Sequence, residues 1–307
     1  MQGYVANTDA DWHAYLRATS PHEEVNFWQP AGGRTFRVIQ PGEPVFFRLK
    51  RPYSCIPGFG LLARYETLPV QLAWDCFLHA NGTPDFPTML ARVRHYNRKL
   101  GNAVPGAMHE IGCMMIGSPV FFAPSDPVPE PADWKGPIVS GKGYSLEHGE
   151  GLRIWEACLA RVQAKPVATA AQDAPRFGDP YLVVPRLGQA SFRAVVTQAY
   201  GRACAVSSEH SLPVLDAAHI VPYAKGGTHV VRNGLVLRSD IHRLFDAGYV
   251  TVTPEHRFEV SPRLKEDFSN GRSYFAFHGQ AIQLPARVED RPEAALLQWH
   301  NEHCYNG

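Results

Sequence analysis

Asp216-Ala217-Ala218-His219-Ile220-Val221-Pro222, then Asn233-Gly234-Leu235, then His242-Arg243-Leu244-Phe245-Asp246 is the stretch on which the reading of this 307-residue chain turns. These three segments, spread over thirty-one positions, gather two histidines, one asparagine and two aspartates between apolar residues, the inventory of a metal site. Leu212 to Val221 is rich in strand formers and bracketed by Pro213 and Pro222. Lys225-Gly226-Gly227-Thr228 has turn composition, and Val230 to Leu237 predicts a second short strand. From Ser239 the pattern becomes helical: Ser239 or Asp240 can cap a helix with Ile241, Leu244 and Phe245 on its apolar side, and Gly248 ends it. On that helix His242 and Asp246 are four apart, so they leave one face and can share a cation. His219, at the end of the first strand, can point across at whatever the cation holds.

The Ala-Ala-His-Ile-Val-Pro run, the Asn-Gly-Leu fourteen residues on and the His-Arg-Leu-Phe-Asp nine further resemble the HNH, or ββα-metal, nucleases in the branch with an Ala-Ala-His opening. The resemblance spans roughly Tyr181 to Gln283. It implies that His219 is the general base, that Asn233 ties down the loop orienting the imidazole, and that His242 and Asp246 are metal ligands. Many members carry a ligand just before the base, where this chain has Ala218. Asp216, two residues earlier with the same strand parity, is the candidate replacement. The chemistry needs these residue types. Phosphodiester hydrolysis requires an activated water, a cation to offset charge on the phosphate, and in-line geometry. An imidazole titrates near neutrality and can take the proton of water. One His with one or two carboxylates suits Mg or Mn, with Zn or Ni possible.

A length of 307 residues accommodates two domains, and 45% hydrophobic with 19% charged residues is globular composition. The net charge of +1 neither supports nor excludes DNA, which needs only a local basic surface. Cysteines 55, 76, 113, 158, 204 and 304 form no CxxC pair, so free thiols and no structural zinc are expected, with Cys204 in the core. No signal-like leader or run of eighteen apolar residues occurs, which predicts a soluble, cytoplasmic protein with no membrane partner.

Ahead of the nuclease stretch the composition is β-rich. Asp9 to Ala18 predicts a short helix with Trp12, Tyr15 and Leu16 on one side. Phe27 to Pro30, Phe36 to Ile39, Glu43 to Lys50 and Ile56 to Tyr65 predict strands. Leu68 to Leu78 and Asp85 to Leu100 predict helices, and Ile111 to Phe122 a central strand. A proline-rich loop covers 124–137, and Gly149 to Gln163 closes with a helix carrying Leu152, Trp155 and Leu159 in register. The Gly-Glu-Pro-Val-Phe-Phe strand, the Ile-Pro-Gly-Phe-Gly strand leading to a helix, and Ile-Val-Ser-Gly-Lys-Gly-Tyr at 138–144 are similar to the PUA-like superfamily, which includes SRA, EVE and ASCH modules. They also resemble N-terminal domains that accompany HNH domains in modification-dependent, type IV restriction endonucleases.

The fold class expected is thus α+β: a PUA-like β-barrel with flanking helices at 1–163, a linker at 164–180 and a ββα-metal nuclease domain at 181–307. The function implied is cleavage of double-stranded DNA bearing a modified cytosine, as restriction of foreign DNA. A homodimer is expected where both strands are cut. A flipped base needs ring walls and edge readers. Candidates are Phe27, Trp28, Tyr65 and Trp74 as rings, with Gln29 and Asp75 at the edge. Arg48, Lys50, Arg94, Arg98 and Lys142 are candidate phosphate contacts. Each has a plain alternative: aromatics in apolar strands pack cores, and basic helix faces are solvated. Two other functions fit the same residues, a non-catalytic nucleic-acid reader with a degenerate nuclease domain and a defence effector whose first domain senses a nucleotide or protein. After the motif, Tyr249 to Val260 and Tyr274 to Leu284 predict strand pairs. Pro292 to Cys304 predicts a terminal helix with His300 and His303 on its surface.

Overall fold

A computed structural model describes residues 1–30, 32, 36–99, 106–135, 138–163, 187–269 and 271–307. The chain divides into two units, Met1–Arg186 and Leu187–Gly307, and the linker expected at 164–180 lies outside the described residues.

The first unit runs β1 (Gln2–Thr8), α1 (Ala10–Ala18), β2 (Glu24–Gln29), β3 (Pro44–Leu49), β4 (Cys55–Ile56), β5 (Gly58–Pro69), α2 (Val70–Phe77), α3 (Phe86–Lys99), β6 (Glu110–Phe121), β7 (Val128–Pro129), β8 (Gly141–Ser145) and α4 (Gly149–Gln163). The sheet order is β2-β6-β5-β3-β1-β8, with β4 pairing β3 and β7. β1 and β3 are parallel, and the other pairs are antiparallel. Side-chain alternation sorts the residues onto two faces. Tyr4, Ala6, Val45, Phe47, Phe27 and Met114 pack with Trp12 and Leu16 of α1. Val5, Phe46 and Phe59 pack with Ile154, Trp155 and Cys158 of α4. β3 is buried along its whole length because both faces are covered, which is why it reads as an unbroken apolar run.

Three expectations change. Among the described residues no pairing joins β2 to β8, so the sheet is open where a closed barrel was expected. Phe36 to Ile39 is not a strand: Phe36 instead packs edge-on against Tyr4 and tilted over Tyr65. The proline-rich segment contains the short strand β7.

The second unit runs α5 (Gln189–Ala199), β9 (Leu215–His219), β10 (Gly234–Arg238), α6 (Ser239–Asp246), β11 (Val250–Val252), β12 (Phe258–Val260), α7 (Arg263–Phe268), α8 (Arg272–Phe275) and α9 (Ala294–His303). Phe192, Val195 and Val196 of α5, Ala218 of β9, Leu235 and Val236 of β10, and Ile241 and Phe245 of α6 are all buried. Both strands of the motif are shorter than expected, because Leu212–Val214 and Val231–Asn233 are single 3-10 turns leading into them. Tyr274 to Leu284 is not a strand pair; α8 occupies its start, and only Ala281 bridges back, to Arg257. His300 is buried rather than at the surface, its ring stacked on Phe245 at 3.7 Å. No helix among the described residues is long and apolar enough to cross a membrane.

Candidate active site

The site is a ribbon and a helix. β9 and β10 pair antiparallel with Gly234 opposite His219 and Leu237 opposite Asp216. α6 follows β10 without a break, and Arg238 takes the capping position with no side-chain cap. Neither Ser239 nor Asp240 caps the helix as expected: both lie inside it. The Ser239 hydroxyl donates to the Val214 carbonyl. Asp240 receives Arg238 Nε–H and an Nη–H, each at 2.7 Å, and the Tyr274 hydroxyl at 3.0 Å. The Arg238 guanidinium and that hydroxyl hold the Asp240 carboxyl down at about 2. This clasp fixes the start of the helix that carries His242. Its end is set by Gly248, whose φ of 75° is the left-handed conformation that terminates helices.

Asn233 is completely buried and organises the loop between the strands. Its Oδ1 accepts from Val221 N–H at 2.9 Å, and its amide donates to the carbonyls of Val221 and Thr228, each at 3.0 Å. The loop passes so close that a Cβ on Gly227 would lie 1.9 Å from the Val221 oxygen. Only glycine fits there.

His219 is half-buried, stacked on Phe192 with centroids 4.0 Å apart and planes 8° from parallel. Its Nε2 lies 3.3 Å from Nδ1 of His229. Burial, with smaller electrostatic contributions from His229 and His242, lowers His219 to about 4, so the imidazole is neutral at physiological pH. His242 stands between two carboxylates: Nδ1 is 3.4 Å from Asp216 Oδ2 and Nε2 is 3.4 Å from Asp246 Oδ2. Ala218, just before His219, is buried and apolar. Asp216 thus reaches His242, and Asp246 lies on its other side. As a donor set, carboxylate oxygens and imidazole nitrogen suit a divalent cation. Among the described residues, however, no three such groups converge on a common point, because the ring presents a different nitrogen to each carboxylate.

His229 escaped the sequence reading. The signal that could have found it is its position directly after the Gly226-Gly227-Thr228 turn, ten residues beyond His219.

The first-unit candidates do not form one group. Phe27 pairs with Met114 and Trp28 with Cys113, so these neighbours face opposite sides of the sheet and cannot wall the same pocket. Phe27 is a core residue packed against Trp12 and Phe47. Tyr65 pairs with Met114 and lies on the Phe27 face, where it packs against Phe36. Gln29 pairs with Gly112 at the end of β2. Trp28 donates from Nε1 to the Asn81 carbonyl, and the Asn81 amide donates to the Ala73 carbonyl of α2. On α2, Trp74 meets the rings of His79 and Phe86, and Asp75 accepts from Gln71.

Two phosphate candidates are already engaged. Arg48 is buried, bonded through Nε to Glu130 at 2.8 Å and through Nη1 to Asn7 at 2.7 Å, with Trp134 stacked at 4.4 Å. Its guanidinium is thus engaged in a buried ion pair within the first unit. Lys142 pairs with Asp133 at 2.6 Å over the Tyr144 ring. Lys50 and Arg98 are exposed, and Arg94 is half-buried.

A strand pair leading into a helix, with a histidine at the end of the first strand and a His/Asp pair on the helix, defines a nuclease of the ββα kind. Residues 204–253 match the family model described as HNH endonuclease. The second unit therefore contains an HNH endonuclease domain, and the protein is a nuclease, a phosphodiester hydrolase that acts on DNA. HNH endonucleases generally depend on a divalent metal. Among solved structures the chain is similar to a "Modification dependent TagI restriction endonuclease", at 13% identity over 94% of this chain and 77% of that one, with a TM-score of 0.27, below the level of a shared fold. No curated protein matches the chain.

Proposed function

We propose that the protein is a metal-dependent endonuclease of the type IV restriction kind, in which a PUA-like first unit reads a modified cytosine and the HNH domain of the Ala-Ala-His branch cuts. The observation that supports it most is the assembly of His219, Asn233 and His242 on one ribbon and helix inside the segment that matches the HNH model. In this reading His219 takes the proton of the attacking water. Asn233 holds the loop, and His242 and Asp246 hold the cation; Asp216, which meets the other nitrogen of the His242 ring, is the candidate for the ligand missing at Ala218. When bound, a divalent cation would offset charge on the phosphate and the leaving oxygen, and Mg or Mn suits this donor set best. In the first unit, Trp28, Trp74 and Asp75 are the favoured base-pocket residues, because Asn81 brings β2 and α2 together beside them.

The test is digestion of plasmid DNA carrying 5-methylcytosine or 5-hydroxymethylcytosine, against unmodified plasmid, with Mg or Mn. Wild type is expected to cut a modified plasmid preferentially and His219→Ala to cut neither. Equal cutting of modified and unmodified DNA removes the modified-base reading. Unchanged cutting by His219→Ala removes the base assignment.

A further inference from the structure

We propose that His229 is a positioning residue for His219: its Nδ1 accepts the Nε2–H of His219, so that Nδ1 of His219 is the nitrogen that takes the proton from water. The inference rests on the reading of His219 as general base and assigns the tautomer with which it works.

Two imidazole nitrogens 3.3 Å apart need one proton between them. A neutral imidazole carries its hydrogen on one nitrogen and a lone pair on the other. If His229 donated to Nε2 of His219, the His219 hydrogen would sit on Nδ1 and no lone pair would remain to accept a proton. If His219 donates from Nε2, the lone pair is on Nδ1 and the ring is a base. Only the second arrangement is compatible with general-base chemistry at this spacing. It requires His229 to carry its own hydrogen on Nε2.

Both rings are held for this. His219 lies flat on Phe192, and His229 meets the edge of Phe192 at 5.5 Å and 73°. On its other side His229 is tilted over Tyr223, with centroids 4.8 Å apart. The two histidine rings cross at 79° with centroids 4.9 Å apart, and the nitrogens that meet are Nε2 of His219 and Nδ1 of His229. The backbone is fixed too, since the carbonyl of Thr228, one residue before His229, accepts from the Asn233 amide. Asn233 therefore acts on His219 through His229 as well as through Val221.

In the cleavage step Nδ1 of His219 takes a proton from water, and the resulting hydroxide forms the new P–O bond. The leaving oxygen departs with the electrons of the broken P–O bond and takes a proton from solvent. His219 becomes an imidazolium whose Nε2–H still points at the His229 lone pair, and His229 is covalently unchanged.

The experiment has a structural arm and a kinetic arm, both on the full chain. Long-range 1H–15N correlation spectra of protein labelled in histidine report the tautomer of His219, assigned by loss of its signals in His219→Ala. The hydrogen is expected on Nε2, and a hydrogen on Nδ1 overturns the proposal whatever the activity. In the kinetic arm, His229→Leu removes the acceptor, whereas His229→Asn places an oxygen near the former Nδ1. On 5-hydroxymethylcytosine plasmid with Mg, His229→Leu is expected to lose kcat on the order of 10- to 100-fold, the usual scale for removing the partner that orients a working imidazole, with KM unchanged. His229→Asn is expected to recover most of that loss. Wild-type kcat in His229→Leu, or equal impairment in both variants when thermal denaturation shows both folded, overturns it. Unimpaired cutting by His219→Ala would strike instead at the base assignment, and the tautomer measurement would still judge the hydrogen bond.

Discussion

Replacing Asn233 tests how the loop is held, and the size of the effect follows from its three side-chain hydrogen bonds. Asn233→Ala removes the bonds at 2.9, 3.0 and 3.0 Å and leaves the Val221 N–H and the Val221 and Thr228 carbonyls without them. At about 1 kcal/mol net per bond, with the larger cost of about 1–3 kcal/mol for a buried donor left unpaired, the loss should be about 3–5 kcal/mol. On a unit of this size that lowers the melting transition by on the order of 10 °C or more. Asn233→Asp is the sharper variant. It keeps the acceptor for Val221 N–H but turns an oxygen toward two carbonyl oxygens. Only the protonated carboxyl can donate to one of them, so its folded pKa is raised above the ordinary value of about 3.9. The folded state then binds more protons than the unfolded state. Relative to wild type, stability falls as pH rises from about 4, by up to roughly 1.4 kcal/mol per pH unit, and levels off above the raised pKa. Urea denaturation of the full chain at several pH values, following the transition of the second unit, measures both effects. A loss below about 1 kcal/mol in Asn233→Ala, or a gain in the relative stability of Asn233→Asp as pH rises, would refute the reasoning.

His242→Ala removes the ring that stands between Asp216 and Asp246, and calorimetric titration of the full chain with Mn is expected to show binding weakened at least 10-fold, while the urea midpoint moves little. Arg48→Met strands the Glu130 carboxylate, so a stability loss of about 3 kcal/mol in denaturation is expected, with DNA affinity at moderate salt unchanged. A fall in affinity without loss of stability would return Arg48 to the DNA surface. Burial lowers His300 to about 4. Its Nε2 is 3.2 Å from the Phe245 carbonyl and its Nδ1 is 2.9 Å from the Thr251 hydroxyl. The unfolded chain takes up this proton near 6.5 and the folded chain only near 4. The stability that the neutral ring contributes is therefore complete above about 6.5 and lost as pH falls to about 4, a difference of up to about 3 kcal/mol between wild type and His300→Gln.

The contrast between the two units shows what a single sequence exposes. α4 was legible in its extent because its ends are local and glycines open it, but its buried stripe is Ile154, Trp155 and Cys158, with Leu152 and Leu159 of the expected stripe only half-buried. β3 was legible because burial on both faces leaves an unbroken apolar run. The order in which strands pair has no such local mark. Whether β2 meets β8 depends on contacts more than a hundred residues apart in sequence, so the expectation of a barrel rested on short apolar motifs that an open sheet also satisfies. Tyr274 to Phe277 has the aromatic content of a strand, yet the positive φ angles of Gly271 and Gly279 turn the chain on both sides and leave one helical turn between them. His300 looked exposed because its sequence neighbours are polar. Its burial comes from Phe245 and Thr251, about fifty residues earlier.

The ribbon and helix that carry these residues were legible because they are local: helical spacing relates His242 to Asp246, and the short strands set Asp216 and His219 at their places along one ribbon. What spacing could not supply is orientation. An imidazole at the end of a strand can turn either nitrogen toward water, and strand geometry does not choose. In this chain the choice passes through the loop. Asn233 fixes the Thr228 carbonyl, that carbonyl places His229, and His229 meets Nε2 of His219. The dependence runs in one direction, so it separates two variants that would otherwise look alike. Loss of Asn233 should disturb loop and tautomer together, with lower stability and lower kcat. Loss of the His229 ring should disturb the tautomer while the three bonds of Asn233, and most of the stability they supply, remain.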